Sequence, residues 1–223
     1  SPAFQSKDDY SKDILRYSWP FIVFGIFAWL QNASDRWGLE LLKSTESVGQ
    51  YAVLNQIGFQ SLGLIFSSIG YFLIPILYNK AGNFQNSKRV EEANQVNNLF
   101  LWFNVLLTVF LFIIFWFWGK EVILILSDEK YVKVAGLLPV IVLAGGLFNF
   151  GQNYSYRFML SMQTNLLLYP KIISAITGCL LNVISIWYYG LPGLIIGLVI
   201  TQLIYVIVLI ICWELKGKFK LVS

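Results

Sequence analysis

The chain has 223 residues, of which 57% are hydrophobic and 13% charged, whereas a soluble domain carries about 25% charged residues. That composition excludes an ordinary water-soluble fold. The net charge of +4 arises from 16 basic and 12 acidic residues, and the basic ones are spread along linkers with no dense run, so nucleic acid is not an expected partner. There is no histidine, which removes the commonest general base and metal ligand.

Residues 1–13 are polar and lack the charged-then-apolar pattern of a secretory leader, so they are read as a cytoplasmic linker. The chain starts at Ser1 rather than Met and is expected to be part of a longer one. A helix crossing about 30 Å of hydrocarbon needs roughly 20 apolar residues. The first uncharged run, 17–34, meets that length, and its helix is expected to continue through Asp35, Arg36, Trp37 and Leu39 to Leu42. The second, 47–79, has length to spare for tilting. The third, 93–119, ends in an aromatic belt at Phe115, Trp116, Phe117 and Trp118. After it, 120–127 is expected to lie as a short helix at the outer interface, being too short to span.

The fourth span, 134–162, passes through Arg157. The run 172–213 is 42 residues without a charge, too long for one crossing, and Gly190-Leu191-Pro192-Gly193 is expected to divide it into spans at 168–189 and 193–213. Residues 214–223 form a basic cytoplasmic tail. The expected fold is therefore all-α, a polytopic membrane protein with a six-transmembrane-helix bundle over 14–213. Six spans put both termini on one side. That side carries 11 of the Lys and Arg residues against 5 on the other, which places the termini in the cytoplasm.

Covalent chemistry finds little support. No nucleophile has a paired base, no paired-carboxylate motif is present, and no glycine-rich loop follows the P-loop pattern. Cys179 and Cys212 lie in apolar stretches without a CxxC spacing and are read as small core residues. An enzyme is not expected, nor is a metal or cofactor. Charges near or within spans are more informative, because they are costly unless they face protein, water or a partner. Asp35 and Arg36 suit either the outer interface or a central cavity. Arg157 suits either snorkelling to the headgroups or a cavity, where its planar fork matches phosphate oxygens. Lys171 beside Pro170 is explained by the positive-inside bias or by a ligand role. The uncharged polar residues Asn55, Gln56, Gln60, Asn98, Asn104, Asn149, Gln152, Asn153 and Asn182 are read first as bonds between helices. Together they would also suit a hydrated path. Pro20, Gly25, Gly63, Gly70, Pro75, Pro139, Gly145 and Gly146 permit bending, as in transporters that change access.

Several weak motifs in order carry a resemblance: Trp19-Pro20, Asp35-Arg36, Val48-Gly49-Gln50-Tyr51, Leu73-Ile74-Pro75, Glu92-Ala93-Asn94, the short segment before Tyr131, Leu181-Asn182, and Tyr189-Gly190-Leu191-Pro192-Gly193. On these the chain resembles the C-terminal half of O-antigen-type polysaccharide flippases of the multidrug, oligosaccharidyl-lipid and polysaccharide exporter superfamily. The resemblance implies two six-helix bundles around a cavity that alternates its access, in the bacterial cytoplasmic membrane, with this chain as the second bundle. It implies an isoprenoid-pyrophosphate-linked oligosaccharide as cargo, membrane lipids as surroundings, and the missing N-terminal half or a second chain as partner. Arg36, Arg157 and Lys171 become candidate cargo contacts, with Asp35 as a partner for Arg36 or a coupling site. The competing expectations are a cation-coupled multidrug extruder of the same superfamily, a polytopic envelope-biosynthesis enzyme, and a non-transporting assembly subunit.

Overall fold

The computed structural model describes residues 18, 19, 22, 25, 26, 29, 33–82, 84 and 86–219, with side chains through Leu215. The expected linker at 1–13 and most of the first expected span, 17–34, lie outside these residues, as does the end of the tail at 220–223. The described chain is helical throughout, with no strand among the described residues. Among the described residues, four helical stretches are long and apolar enough to cross a membrane: Thr45–Ala81, Ser87–Leu126, Glu129–Leu160 and Thr164–Leu215.

Helix α1 covers 33–42, as expected, and Ser44 starts the next helix by accepting a hydrogen bond at its Oγ from Ser47 N at 3.2 Å. That bond satisfies one of the donors left free in a first helical turn. Helix α2, Thr45–Leu54, passes through a π-helical stretch, Asn55–Gln60, into α3, Ser61–Ala81. Gly82 ends α3 at φ 64°, a conformation open to glycine. Arg89 then returns to the end of α3, where Nε and Nη2 donate to the carbonyls of Lys80 and Asn79 at 2.9 and 3.0 Å. Asn86 caps α4, accepting from Lys88 N at 3.0 Å. Helix α4, Ser87–Leu126, therefore starts well before the expected position 93, because its polar first turns are helical as well. The expected short segment at 120–127 follows a kink at Trp118, with φ −118° and ψ 22°, and is helical through Leu126.

A 3-10 stretch, Glu129–Leu137, is capped by Asp128 and leads into α5, Leu138–Tyr154, with Pro139 in its first turn, where no N–H partner is required. The fourth expected span runs helical to Leu160 with only a local irregularity at Ser155, whose φ −61° and ψ −21° remain helical. A short α6, Tyr156–Leu160, and a 3-10 turn, Thr164–Leu167, follow. Helix α7, Leu168–Phe219, is divided by Gly190 at φ 64° and ψ −139°, a region essentially restricted to glycine. The chain reverses there. A Cβ at Gly193 would overlap Ser185 O, and one at Gly197 would lie 2.9 Å from Asn182 Oδ1, so the two arms run back against each other. Of 190–193 only Gly190 leaves the helical conformation; Leu191, Pro192 and Gly193 already belong to the second arm, and Gly193 lets that arm lie against Ser185. The helix also runs on through 214–219, the start of the expected tail.

Helix α5 is the centre of this arrangement, and its glycines explain why. A Cβ at Gly145 would meet Phe59 Cα at 3.0 Å, one at Gly146 would overlap Thr108 of α4, and one at Gly151 would overlap the Tyr205 ring of α7. Three neighbours thus approach the α5 backbone closely, the packing that small residues permit between helices in lipid. The α4 face turned to α5 carries Asn97, Leu101, Asn104 and Thr108, all buried, at alternating spacings of four and three. Asn97 Nδ2 donates to Asn153 O at 3.1 Å. With its amide oriented to satisfy both ends, Asn104 donates to Gly146 O at 3.2 Å and accepts from Phe150 N at 3.3 Å. The opposite α4 face exposes Trp102, Leu106, Phe110, Ile113 and Phe117. Polar side chains inside and large apolar ones outside fit a helix surrounded by lipid. Cys212 is buried and Cys179 half-buried, both as free thiols.

Replacing Gly146 by Ala is expected to destabilise the bundle by about 1–3 kcal/mol, as for other overpacked cores. Thr108→Ala in the same chain should recover part of that loss, since it removes the overlapping Oγ1 and Cγ2. Thermal unfolding of the single and double variants in detergent checks the coupling.

Candidate functional site

Asp35 and Arg36 are neighbours on α1, so their side chains leave the helix about 100° apart, and each faces a different environment. Asp35 points into the bundle and is only 2% exposed. Its Oδ1 accepts from Asn182 Nδ2 of the first α7 arm at 2.6 Å, and its Oδ2 accepts from Tyr51 Oη of α2 at 3.0 Å. Three helices are joined through one carboxyl group. Arg36 is exposed and lines a cavity of about 590 Å³ together with Trp29, Ala33, Trp37, Tyr51, Asn55, Phe59, Gln60 and Phe148. Asp35 holds α1 in place while the neighbouring Arg36 guanidinium faces the cavity, and the two opposite charges stay close enough on the helix to attract each other.

The π-helical stretch supplies much of the cavity wall. A π turn closes its hydrogen bonds at i→i+5 and contains an extra residue relative to an α turn, often at a functional site. Asn55, Phe59 and Gln60 consequently line one cavity. On the far side of the same stretch Gly58 meets α5, where a Cβ would lie 2.5 Å from Ile141 Cγ2. This contact fixes which face of the stretch turns inward. Trp29 and Trp37 meet edge to face with ring centroids 6.0 Å apart. Phe59 and Phe148 close the wall at 5.4 Å.

Lys171 does not line that cavity. It is 8% exposed, with Nζ 5.4 Å from the ring centroids of both Phe148 and Tyr205. Phe148 is thus shared between the cavity wall and the lysine. Arg157 sits elsewhere. Its Nη2 donates to Asn98 Oδ1 and its Nη1 reaches Tyr154 Oη at 3.5 Å. The guanidinium carbon lies 4.6 Å from the Tyr154 ring and 5.8 Å from the Trp213 ring. These contacts tie α6 to α4 and to the end of α7, and they leave Arg157 engaged with protein rather than with the Arg36 cavity.

Of the four charged candidates, Arg36 lines the cavity, Asp35 is buried behind it with a bond to the wall residue Tyr51, Lys171 lies against the wall residue Phe148, and Arg157 is set apart. Tyr51, Phe148 and Tyr205 were not among the sequence candidates. Their aromatic side chains carry no polar signal that separates them from lipid-facing rings. Among the described residues no group of three or more His, Cys, Asp or Glu side chains converges as a metal site. In comparisons with known proteins, no family model, no curated protein and no solved structure matches the chain.

Asp35→Ala leaves the Asn182 amide and the Tyr51 hydroxyl without their acceptor, and each unsatisfied buried donor costs about 1–3 kcal/mol. Unfolding in detergent should show a loss of about 2 kcal/mol or more for Asp35→Ala. Asp35→Asn, which keeps an acceptor for Asn182, should lose about half as much.

Proposed function

We propose that the chain forms one half of a flippase that moves isoprenoid-pyrophosphate-linked oligosaccharide units across a bacterial cytoplasmic membrane, by alternating access and without covalent chemistry. The observation that carries this reading is the chemistry of the Arg36 cavity. It combines one exposed guanidinium, two amides at Asn55 and Gln60, and the rings of Trp29, Trp37, Tyr51, Phe59 and Phe148. A guanidinium fork matches pyrophosphate oxygens, and charge-assisted bonds of that kind are stronger than neutral ones. Amide donors and acceptors suit sugar hydroxyls, and flat apolar rings suit sugar faces. A highly charged headgroup crossing hydrocarbon needs such compensation, because it gives up its hydration shell.

In this reading the four long apolar helices become six spans. The α7 hairpin supplies two of them, and residues 17–34 supply the first. The basic bias of the linkers puts both termini in the cytoplasm. The opposite cavity wall belongs to the N-terminal half of the same transporter or to a second chain. A cation-coupled drug extruder is the second reading, and the buried carboxyl of Asp35 beside the cavity favours it.

Disrupting the gene should cause complete polyprenyl-linked units to accumulate on the cytoplasmic side, with loss of surface polysaccharide. Truncated units would indicate an enzyme instead, and drug sensitivity with unchanged lipid-linked sugars would indicate the extruder. Complementation with Arg36→Ala should lower surface polymer by about 10- to 100-fold, the scale of one charge-assisted contact. For the orientation, a cysteine replacing Asp128 should react with an impermeant maleimide in intact cells, and one replacing Ser87 should react only after permeabilisation.

A further inference from the structure

The kink at Trp118 sets off the end of α4 as a short piece with a groove of its own. Lys120 and Leu124 are four apart on this piece and share a face. Lys130 and Lys133 are three apart in the 3-10 stretch that returns beside it, a spacing that stacks side chains in line. With Asp128 and Glu129 at the turn and Val132 at the base, these residues line a cavity of about 760 Å³, within the roughly 300–1,000 Å³ of small-ligand sites. The root of the groove is fixed by packing. A Cβ at Gly119 would lie 3.3 Å from Ala135 O, and Ile123 and Ala135 are buried in one core.

Three ammoniums and two carboxylates thus face one cavity, and among the described residues no ion pair joins them. Asp128 Oδ1 accepts from Lys130 N at 3.0 Å, and Lys130 Nζ lies 5.0 Å from the Tyr131 ring centroid. Opposite charges held apart in one groove suit a ligand that carries both signs. The surroundings add a second requirement. Trp116, Phe117 and Trp118 are more than half exposed just before the groove, and Leu124 and Ile125 are 51% and 80% exposed beside its charges. Exposed rings and aliphatic side chains next to lysines mark the level where hydrocarbon meets headgroups. A fitting ligand has a doubly charged head and an apolar body.

We propose that this groove binds a phospholipid with a primary-amine headgroup, of the phosphatidylethanolamine class, in the leaflet that meets this end of the bundle. Lys120, Lys130 and Lys133 hold the phosphate, Asp128 and Glu129 accept from the ammonium, and the acyl chains run along Leu124 and the aromatic belt. Such charge-assisted bonds are stronger than neutral ones. A choline headgroup has no N–H to donate, and a glycerol headgroup brings no positive charge to the carboxylates, so each satisfies only half of the site. The assignment depends on neither the cargo nor the flippase reading.

The test uses the full chain, delipidated in detergent and titrated with dioleoyl phosphatidylethanolamine, phosphatidylcholine or phosphatidylglycerol, with bound lipid counted by native mass spectrometry. Phosphatidylethanolamine should bind most tightly. Combining Lys130→Ala with Lys133→Ala should raise its Kd at least about tenfold, given the scale of lysine attraction to lipid phosphate. Glu129→Gln should raise it about threefold and leave phosphatidylglycerol unchanged, the scale of an exposed ion pair. All three side chains are exposed, so these variants keep the fold. A parental Kd in the double lysine variant would overturn the site. Equal Kd for the ethanolamine and choline lipids would overturn recognition of the amine, and tighter phosphatidylglycerol binding would do so by assigning the groove to an anionic lipid. Phosphatidylethanolamine bearing a diazirine on its acyl chain close to the glycerol should label residues within 116–133; labelling confined to other segments would overturn the placement.

Discussion

Helices in lipid gain little from hiding apolar surface, so their association depends on close backbone approach and on bonds between buried polar groups. In this protein both devices converge on α5. Gly145, Gly146 and Gly151 admit the π-helical stretch, α4 and the second arm of α7 respectively. Asn97 and Asn104 then fasten α4 to the α5 carbonyls at the same seam. Two walls of the cavity are positioned relative to this one helix, since the π-helical stretch rests on Ile141 and Phe148 belongs to α5 itself.

The second determinant is the bond pair at Asp35. Removing a carboxyl from water is costly unless strong donors replace the lost hydration, and Tyr51 and Asn182 supply one donor to each oxygen. Because the donors come from α2 and α7, the group reports the relative position of three helices. Arg36, one residue further on, is turned to the cavity by the same constraint. A single local geometry therefore fixes α1 and aims the guanidinium.

Much of this fold was legible in the sequence. Apolar run lengths located the long helices, and the Gly190 break was visible because only glycine fits the backbone there. The extension of α1 beyond Asp35 could also be read, since nothing in 35–42 interrupts a helix. The extension of α4 back through 87–92 was not read, because charge marks where hydrocarbon ends, not where a helix ends. The site was harder. Asn182 was noted only as a bond between helices, and that bond proved to be with Asp35. Arg157 reads as the charge most suited to lie inside a span, with snorkelling and a cavity role both open, yet Tyr154 from the preceding turn and Asn98 and Trp213 from distant parts of the chain surround it. Phe148 gave no signal, because one ring among many becomes distinctive only where it faces a cavity.

The hairpin at Gly190 has a mechanical consequence. Its arms are locked in register over Gly193 and Gly197, and Lys43 Nζ, reaching Trp187 O at 3.2 Å, clasps the bend to the end of α1. Lys171 and Asn182 ride on one arm, Tyr205 on the other. A displacement of α1 that pulls on Asn182 would therefore be carried through the bend to the second arm, where the Tyr205 ring over Gly151 passes it on to α5.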